Sequence, residues 1–167
     1  KSAFIFSSTI NKYCTATVLP RDDERIHISS KDLEQSCESS SLEQLKYDGN
    51  LDLLKAAVLV MQPDFGFNLE TSSDTEIGTG LGGSSAMVVA VIGALNNFRN
   101  ENQLDSYQIA DLAYQAERIE LRIEGGWQDQ YSTTFGGFNW VEFRQNEVLV
   151  NPLRLRREVL LELEYNL

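Results

Sequence analysis

The feature that most constrains the fold is a glycine-rich run, GTGLGGSSA, that leads directly into an apolar stretch without proline. Residues 78–85 contain four glycines and two serines, and residues 86–95 are apolar or small on every side. A helix of this composition is buried rather than amphipathic. The pattern predicts a helix over 86–95 inside a hydrophobic core. The chain enters this helix through a turn whose free backbone N–H groups and helix dipole favour an anion.

Length and composition limit the class of protein. The chain has 167 residues, 42% of them hydrophobic, which indicates one globular domain with its own core. The net charge of −11 argues against duplex nucleic acid or an anionic membrane as the main partner, because both need clustered lysine and arginine. Two separated cysteines and one histidine give no zinc set and favour a reduced, cytoplasmic protein. No apolar stretch approaches the ~18 residues of a membrane-spanning helix.

Ahead of the glycine run, alternating β-favouring residues, turn signals and a helical apolar period predict several elements. In chain order these are an extended stretch over 3–19, a strand at IHIS that forms a hairpin with it, a polar surface loop over 31–48, a helix over 51–61 capped by Asn50, and a strand at GFNLETSS. This part of the chain is therefore rich in strands.

Beyond the glycine run the same signals predict two more helices and a hairpin. These elements are a helix from Ser106 to Ile123 capped by Asp105 or Ser106, a loop over 124–131, a hairpin over 136–153, and a helix over 158–164. Runs of strands with inserted helices and mostly hairpin links indicate an α+β domain rather than alternating βαβ units.

The glycine run by itself allows several interpretations. Gly78, Gly80 and Gly83 match the G-x-G-x-x-G fingerprint of dinucleotide-binding domains, so an NAD-binding oxidoreductase domain is one alternative. That fingerprint follows a hydrophobic strand, whereas residues 71–73 are all polar. The P-loop pattern fails because no lysine precedes the serine pair. A further alternative is that the glycines bind no ligand and serve only to allow tight helix packing.

The serine pair suggests phosphate or metal chemistry. Ser84 and Ser85 stand at the entrance of the predicted helix, where hydroxyl groups can bond phosphate oxygens or Mg²⁺. The amides of Gly82 and Gly83 can approach the same ligand without hindrance from a Cβ. Phosphoryl transfer also needs acids that hold the metal and accept a proton. The downstream candidates are Glu117, Glu120, Glu124 and Asp129. Helical spacing alone does not choose among them.

The glycine run resembles the G-x-G-L-G-S-S-A phosphate loop of the GHMP kinases, the superfamily of galactokinase, homoserine kinase, mevalonate kinase and phosphomevalonate kinase. Glu76 and Ile77 stand where prolines usually precede this loop, and Gly83 replaces its first serine. These departures are the only hints of another alternative, a non-catalytic nucleotide-binding module. The resemblance implies an ATP-binding loop composed of Gly78, Thr79, Gly80, Leu81, Gly82, Gly83, Ser84 and Ser85.

Two downstream segments extend the resemblance. LAYQAERIE is similar to the helix that carries the metal-binding glutamate of these kinases, which assigns Mg²⁺ to Glu117 and Ser84. GGWQDQYSTTFGGFNW resembles the segment around their catalytic aspartate, here Asp129, presented from a loop. This segment is typical of the sugar-1-kinase branch, notably the D-glycero-D-manno-heptose 7-phosphate kinases, and fucokinase domains share GGWQDQ. The amide groups of Gln128 and Gln130, on either side of Asp129, can bond a sugar hydroxyl or fix the aspartate.

The resemblance covers nearly all of the chain but only part of the family. It implies a GHMP kinase N-terminal ATP-binding domain over 1–167, with a two-layer α+β fold like ribosomal protein S5 domain 2. It also implies ATP and Mg²⁺ as cofactors and transfer of the γ-phosphoryl group to the anomeric hydroxyl of a small sugar or sugar phosphate. Heptose 7-phosphate is the first candidate, with fucokinase-like and galactokinase-like substrates as alternatives. The family's first strand and C-terminal domain are missing, so we expect the isolated chain to be inactive.

Overall fold

The computed structural model describes residues 2–76, 78–99, 101–145 and 147–166. It divides into two compact units. The larger unit is Asn11–Thr134, and the smaller unit combines the residues up to Ile10 with those from Phe135 onward. The glycine run, Glu117 and Asp129 all belong to the larger unit, so the candidate site lies within it.

The helices and strands follow one another in a mixed order. They are β1 (Ala3–Ser8), β2 (Cys14–Pro20), β3 (Ile26–Ser30), β4 (Gln35–Ser39), α1 (Asp52–Met61), β5 (Phe67–Ser73), α2 (Gly83–Asn96), α3 (Ser106–Tyr114), α4 (Gln128–Phe135), β6 (Phe138–Phe143), β7 (Val148–Pro152) and α5 (Arg157–Asn166). A 3₁₀ turn covers Leu42–Gln44, and a π-helical turn covers Gln115–Glu120. None of the helices that the structure describes is long and apolar enough to span a membrane.

The larger unit packs helices on a four-stranded sheet of order β2-β5-β3-β4. Every second residue of a strand faces the same side, so Phe67 and Leu69 of β5 point into the core together with Ile26 and Ile28 of β3. These four side chains are buried in one cluster with apolar residues of α1 and α2. The predicted α+β class is confirmed.

The strand predictions for residues 3–48 are wrong in three places. The stretch 3–19 is two strands in different sheets, because β1 pairs with β6 whereas β2 pairs with β5. β2 and β3 form no hairpin, since β5 lies between them and pairs antiparallel with β2 and parallel with β3. The polar loop predicted over 31–48 contains β4, the hairpin partner of β3. The serine-rich sequence of β4 hides its alternation, because its inward-facing residues, Cys37 and Ser39, are small and only weakly apolar.

The helix predictions are more accurate. α1 spans the predicted range, but Asn50 is not its cap, since its side chain donates to the carbonyl oxygen of Ser36. The predicted start at Ser106 is confirmed, and Asp105 caps α3 in a capping box. This helix changes at Gln115 into the π-helical turn. α2 begins at Gly83, three residues before the predicted start at Ala86.

The smaller unit contains a three-stranded antiparallel sheet of order β1-β6-β7. The predicted hairpin is confirmed as β6 and β7, and the N–H of Arg144 donates to the carbonyl oxygen of Glu147 at 2.8 Å across its turn. The predicted C-terminal helix is confirmed as α5.

Gly66, just before β5, leaves no room for a side chain. A Cβ there would lie 1.9 Å from the carbonyl oxygen of Asp23 and 2.7 Å from that of Arg25. Backbone atoms cannot move aside as a flexible side chain can. We therefore expect Gly66→Ala to lower the free energy of unfolding by about 3 kcal/mol or more, measured by urea unfolding of the full-length protein.

Gly93→Ala is the matched control for Gly66→Ala. Gly93 lies inside α2, and a Cβ there would meet nothing within 4 Å. Alanine is the better helix former, so we expect this variant to raise the free energy of unfolding by about 0.5–1 kcal/mol. Equal effects of the two substitutions would contradict the steric explanation.

Candidate active site

The glycine run forms an open turn between β5 and α2. Gly78, Gly80 and Gly82 have φ angles of 83°, 74° and 74°, a region that glycine adopts without strain. A Cβ on Gly78 or Gly80 would meet nothing within 4 Å, so open space lies beside the backbone. Gly82 is the N-cap of α2 and provides no side-chain capping bond. The N–H groups of the first helical turn are thus suited to bind an anion.

A cavity of about 530 Å³ lies beside this turn. A volume of this order suits a small-molecule ligand. The cavity combines the polar glycine run with an apolar wall from other parts of the larger unit. The wall consists of Leu33, Leu51, Leu53, Leu54 and Met87. The site can therefore bind a ligand that has both a charged and an apolar part.

Glu117 is fully buried at the N-terminal end of α2. Its Oε1 accepts a hydrogen bond from Oγ of Ser84 at 2.9 Å. Its Oε2 accepts from Oγ of Ser85 at 2.6 Å and from Nε2 of Gln130. A buried carboxylate is tolerated only when it is hydrogen-bonded or paired. All three donors are neutral, so none of these contacts brings a positive charge to the carboxyl group.

The π-helical turn over Gln115–Glu120 gives Glu117 this position. A π turn holds one more residue than a regular helical turn, and such turns are frequent at functional sites. The next residue, Arg118, faces the following loop and donates to the carbonyl oxygens of Glu124 and Gly126 at 3.4 Å. Trp127 stacks on Tyr114 with ring centroids 3.6 Å apart. Together these contacts hold the chain that leads into α4.

Asp129 lies in the first turn of α4, so the prediction that a loop presents it is wrong. The helix begins at Gln128, two residues after the Gly125–Gly126 pair that suggested a loop. A Cβ placed on Gly82 would lie 3.9 Å from Cβ and from Cγ of Asp129. Asp129 also lines the cavity. The structure therefore brings Asp129 to the glycine run, although the two are far apart in the sequence.

The two glutamines beside Asp129 have different environments. Gln128 is exposed on α4, and its contact with a sugar stays a prediction. Gln130 is fully buried, and its Nε2 donates to Ser85 at 3.1 Å as well as to Glu117. The predicted contact of Gln130 with a sugar stays a prediction, and Gln130 is not among the residues that line the cavity.

The other predicted residues lie in the loop itself. Leu81 is exposed, and Oγ1 of Thr79 donates to the carbonyl oxygen of Glu76 at 3.3 Å. Glu76, one of the two departures before the loop, lines the cavity, and Ile77 lies outside the described residues. At Gly83 a Cβ would lie 3.4 Å from Oγ1 of Thr75.

Several cavity residues were not predicted from the sequence. Asp32 and Leu33 follow β3, and Leu51, Leu53 and Leu54 lie at the start of α1. No motif marks these positions, and the stretch around Asp32 was assigned to a surface loop. The apolar period of α1 is a usable signal, because it predicts that some of these leucines are buried.

Comparison with known proteins identifies the family. The family described as GHMP kinases N terminal domain matches residues 52–137. D-glycero-alpha-D-manno-heptose 7-phosphate kinase of Campylobacter jejuni is 44% identical over 98% of this chain and 50% of its own length. A crystal structure of a D-glycero-D-manno-heptose 1-phosphate kinase from Bacteroides thetaiotaomicron has a TM-score of 0.88 and 37% identity, covering 98% of this chain and 55% of that one.

A further solved structure is also similar to this chain. A putative sugar kinase from Campylobacter jejuni has a TM-score of 0.85 and 43% identity, covering 96% of this chain and 51% of that one. The chain spans about half the length of the relatives it matches. Its glycine run, π-helical turn and α4 all lie within the matched residues 52–137. The chain therefore belongs to the GHMP kinases and carries their N-terminal domain.

Proposed function

We propose that the protein containing this chain is an ATP-dependent sugar kinase that phosphorylates the anomeric hydroxyl of a sugar phosphate. The observation that carries this proposal is the position of the two acids, with Glu117 bonded to both serines at the start of α2 and Asp129 beside Gly82. The similarity to heptose phosphate kinases supports D-glycero-D-manno-heptose 7-phosphate as the first candidate substrate. Fucose or galactose derivatives are the alternatives.

The residues of the site fit ATP and Mg²⁺. The open space beside Gly78 and Gly80 leaves room for phosphate groups next to backbone amides. Hydroxyl and carboxylate oxygens, as on Ser84 and Glu117, are the ligands that Mg²⁺ prefers. Among the described residues no cluster of three or more His, Cys, Asp or Glu side chains could hold a metal. This agrees with Mg²⁺, which takes few protein ligands and completes its shell with phosphate and water.

Each part of the site has a role in the proposed reaction. Bound ATP would supply the γ-phosphoryl group, and Mg²⁺ would neutralise the charge that develops during transfer. The amides of residues 78–85 and the positive end of α2 bind the phosphates. Ser84 and Glu117 hold the metal. Asp129 orients the acceptor hydroxyl and accepts its proton. We place the reaction in the cytoplasm, where the two free thiols, Cys14 and Cys37, remain reduced.

Activity of the full-length protein tests the proposal. The protein is incubated with Mg-ATP and with heptose, fucose, galactose and mannose derivatives, and ³¹P NMR identifies the phosphorylated position. We expect a sugar 1-phosphate and the highest kcat/KM with heptose 7-phosphate. If a fucose or galactose derivative is the best substrate, the proposed specificity is wrong, but the proposed reaction stands.

A titration separates the other candidate classes. We expect Mg-ATP to bind and NADH not to bind. Binding of NADH without ATP would favour a dinucleotide-binding oxidoreductase. Binding of ATP without transfer to any sugar would favour a non-catalytic module. Strong phosphorylation by residues 1–167 alone would overturn the expectation that the rest of the protein is needed.

A further inference from the structure

Gln130 links three segments of the candidate site. Its Nε2 donates to Oγ of Ser85 in α2 at 3.1 Å and to Oε2 of Glu117 in the π-helical turn. Gln130 itself belongs to α4, directly after Asp129. A single buried side chain therefore connects the metal-binding glutamate, the serine pair and the helix that carries the proposed base.

The amide of Gln130 has one chemically reasonable orientation. Its Nε2 faces the Glu117 carboxylate, and the opposite orientation would place Oε1 against a negatively charged oxygen. The buried Oε1 has no hydrogen-bond partner in the described residues. Burying an unsatisfied acceptor is unfavourable. The side chain is thus arranged to donate to Glu117, even though its own acceptor is left without a partner.

The donors are distributed unevenly over the two oxygens of Glu117. Oε2 accepts from both Ser85 and Gln130, so both of its lone pairs are used. Oε1 accepts only from Ser84 among the described contacts, and Ser84 lines the cavity. A carboxylate oxygen can accept two bonds. Oε1 consequently keeps one lone pair that none of the described contacts uses.

We infer that Gln130 is a positioning residue that acts through Glu117. It occupies Oε2, directs Oε1 toward the metal and fixes α4, and hence Asp129, relative to Glu117. The inference rests on the proposed kinase function and deepens it, because it assigns Gln130 to the metal site instead of to the sugar. Partners of this kind orient a metal ligand without touching the metal. Their removal typically lowers metal affinity or activity by about 10–100-fold.

The test uses Gln130→Met and Gln130→Ala in the full-length protein, with Gln103→Met, at an exposed position before α3, as the control. Methionine keeps most of the volume of glutamine but donates no hydrogen bond. Electron paramagnetic resonance measures the Kd of Mn²⁺ in the presence of ATP, and steady-state kinetics measures kcat and the KM for the sugar. We expect both Gln130 variants to raise the Mn²⁺ Kd about 10-fold or more, with the KM for the sugar within about twofold of wild type.

The outcomes separate the possible roles of Gln130. A packing role predicts that Gln130→Met behaves like wild type, which would overturn the inference. A sugar contact predicts a raised KM for the sugar with an unchanged Mn²⁺ Kd, and would overturn it as well.

A double-mutant cycle tests the contact independently of activity. Gln130→Met and Glu117→Gln are combined, and urea unfolding midpoints are compared with those of the single variants. Non-additive midpoints support the shared contact with Glu117, and additive midpoints contradict it. If the wild-type protein transfers phosphate to no sugar, the proposed function fails, while this cycle still decides whether Gln130 positions Glu117.

Discussion

Asp129→Asn is expected to lower kcat of the full-length protein about 10²–10⁴-fold, the usual contribution of a general base. Asparagine has nearly the same size but cannot accept the proton of the acceptor hydroxyl. Asp129 lies beside Gly82 and has no hydrogen bond to the serine pair among the described contacts, so the glycine run should remain intact. We therefore expect the Kd for Mg-ATP to stay within about threefold of wild type, because only the proton-accepting group is removed.

Steady-state kinetics and a nucleotide titration measure these two effects separately. Asp22→Asn, the same substitution at an exposed residue after β2, is the control and should leave both quantities unchanged. An unchanged kcat for Asp129→Asn would remove Asp129 from its proposed role. A large loss of ATP affinity would instead indicate that Asp129 binds the nucleotide or its metal.

Glu117→Gln is also expected to lower activity strongly, but by weakening the binding of Mg²⁺ and not by removing a base. The variant loses the negative charge that we propose binds Mg²⁺, and its amide nitrogen cannot accept from the donors around it. One or more of Ser84, Ser85 and Gln130 then loses its acceptor. We expect kcat/KM to fall about 10²-fold or more and the free energy of unfolding to fall by about 1–3 kcal/mol.

Glu120→Gln is the matched control for Glu117→Gln, since both glutamates lie in the same π-helical turn. Glu120 is exposed, and its carboxylate is hydrogen-bonded to Tyr47. Burial and this carboxylate raise the pKa of Tyr47 to about 12. We expect this control to retain activity and Mg²⁺ dependence. Activation by Mg²⁺ at the wild-type concentration in Glu117→Gln would show that another group holds the metal.

Local signals predicted the elements that do not depend on distant partners. The glycine run and apolar stretch predicted α2, the capping residues predicted the start of α3, and the alternation of GFNLETSS predicted β5. Strand pairing was not predictable in the same way. β5 inserts between β2 and β3 because its apolar face completes the core, and that choice depends on residues about 40 to 60 positions away in the sequence.

The candidate site likewise has features that the sequence predicts and features that depend on distant parts of the chain. The resemblance indicated Ser84, Glu117 and Asp129, and the structure places these side chains around one helix start. Helical spacing could not distinguish Glu117 from Glu120, because a π turn changes which residue faces inward and the sequence LAYQAERIE gives no sign of it. The burial of Gln130 was likewise invisible, since it depends on the approach of α4 to α2.

The extra residue in the π-helical turn makes this part of the chain intolerant of changes in length. Removing one residue would restore a regular turn with about 100° per residue and so rotate the remaining residues of this turn away from their present partners. Glu117 and Arg118 face different partners from neighbouring positions, so such a rotation would misplace the acid and release the loop before α4 together. The length of this segment is therefore as restricted as its residue identities. We expect a full-length protein that had lost the inserted residue to lose the proposed phosphoryl transfer, even with every acid and serine retained.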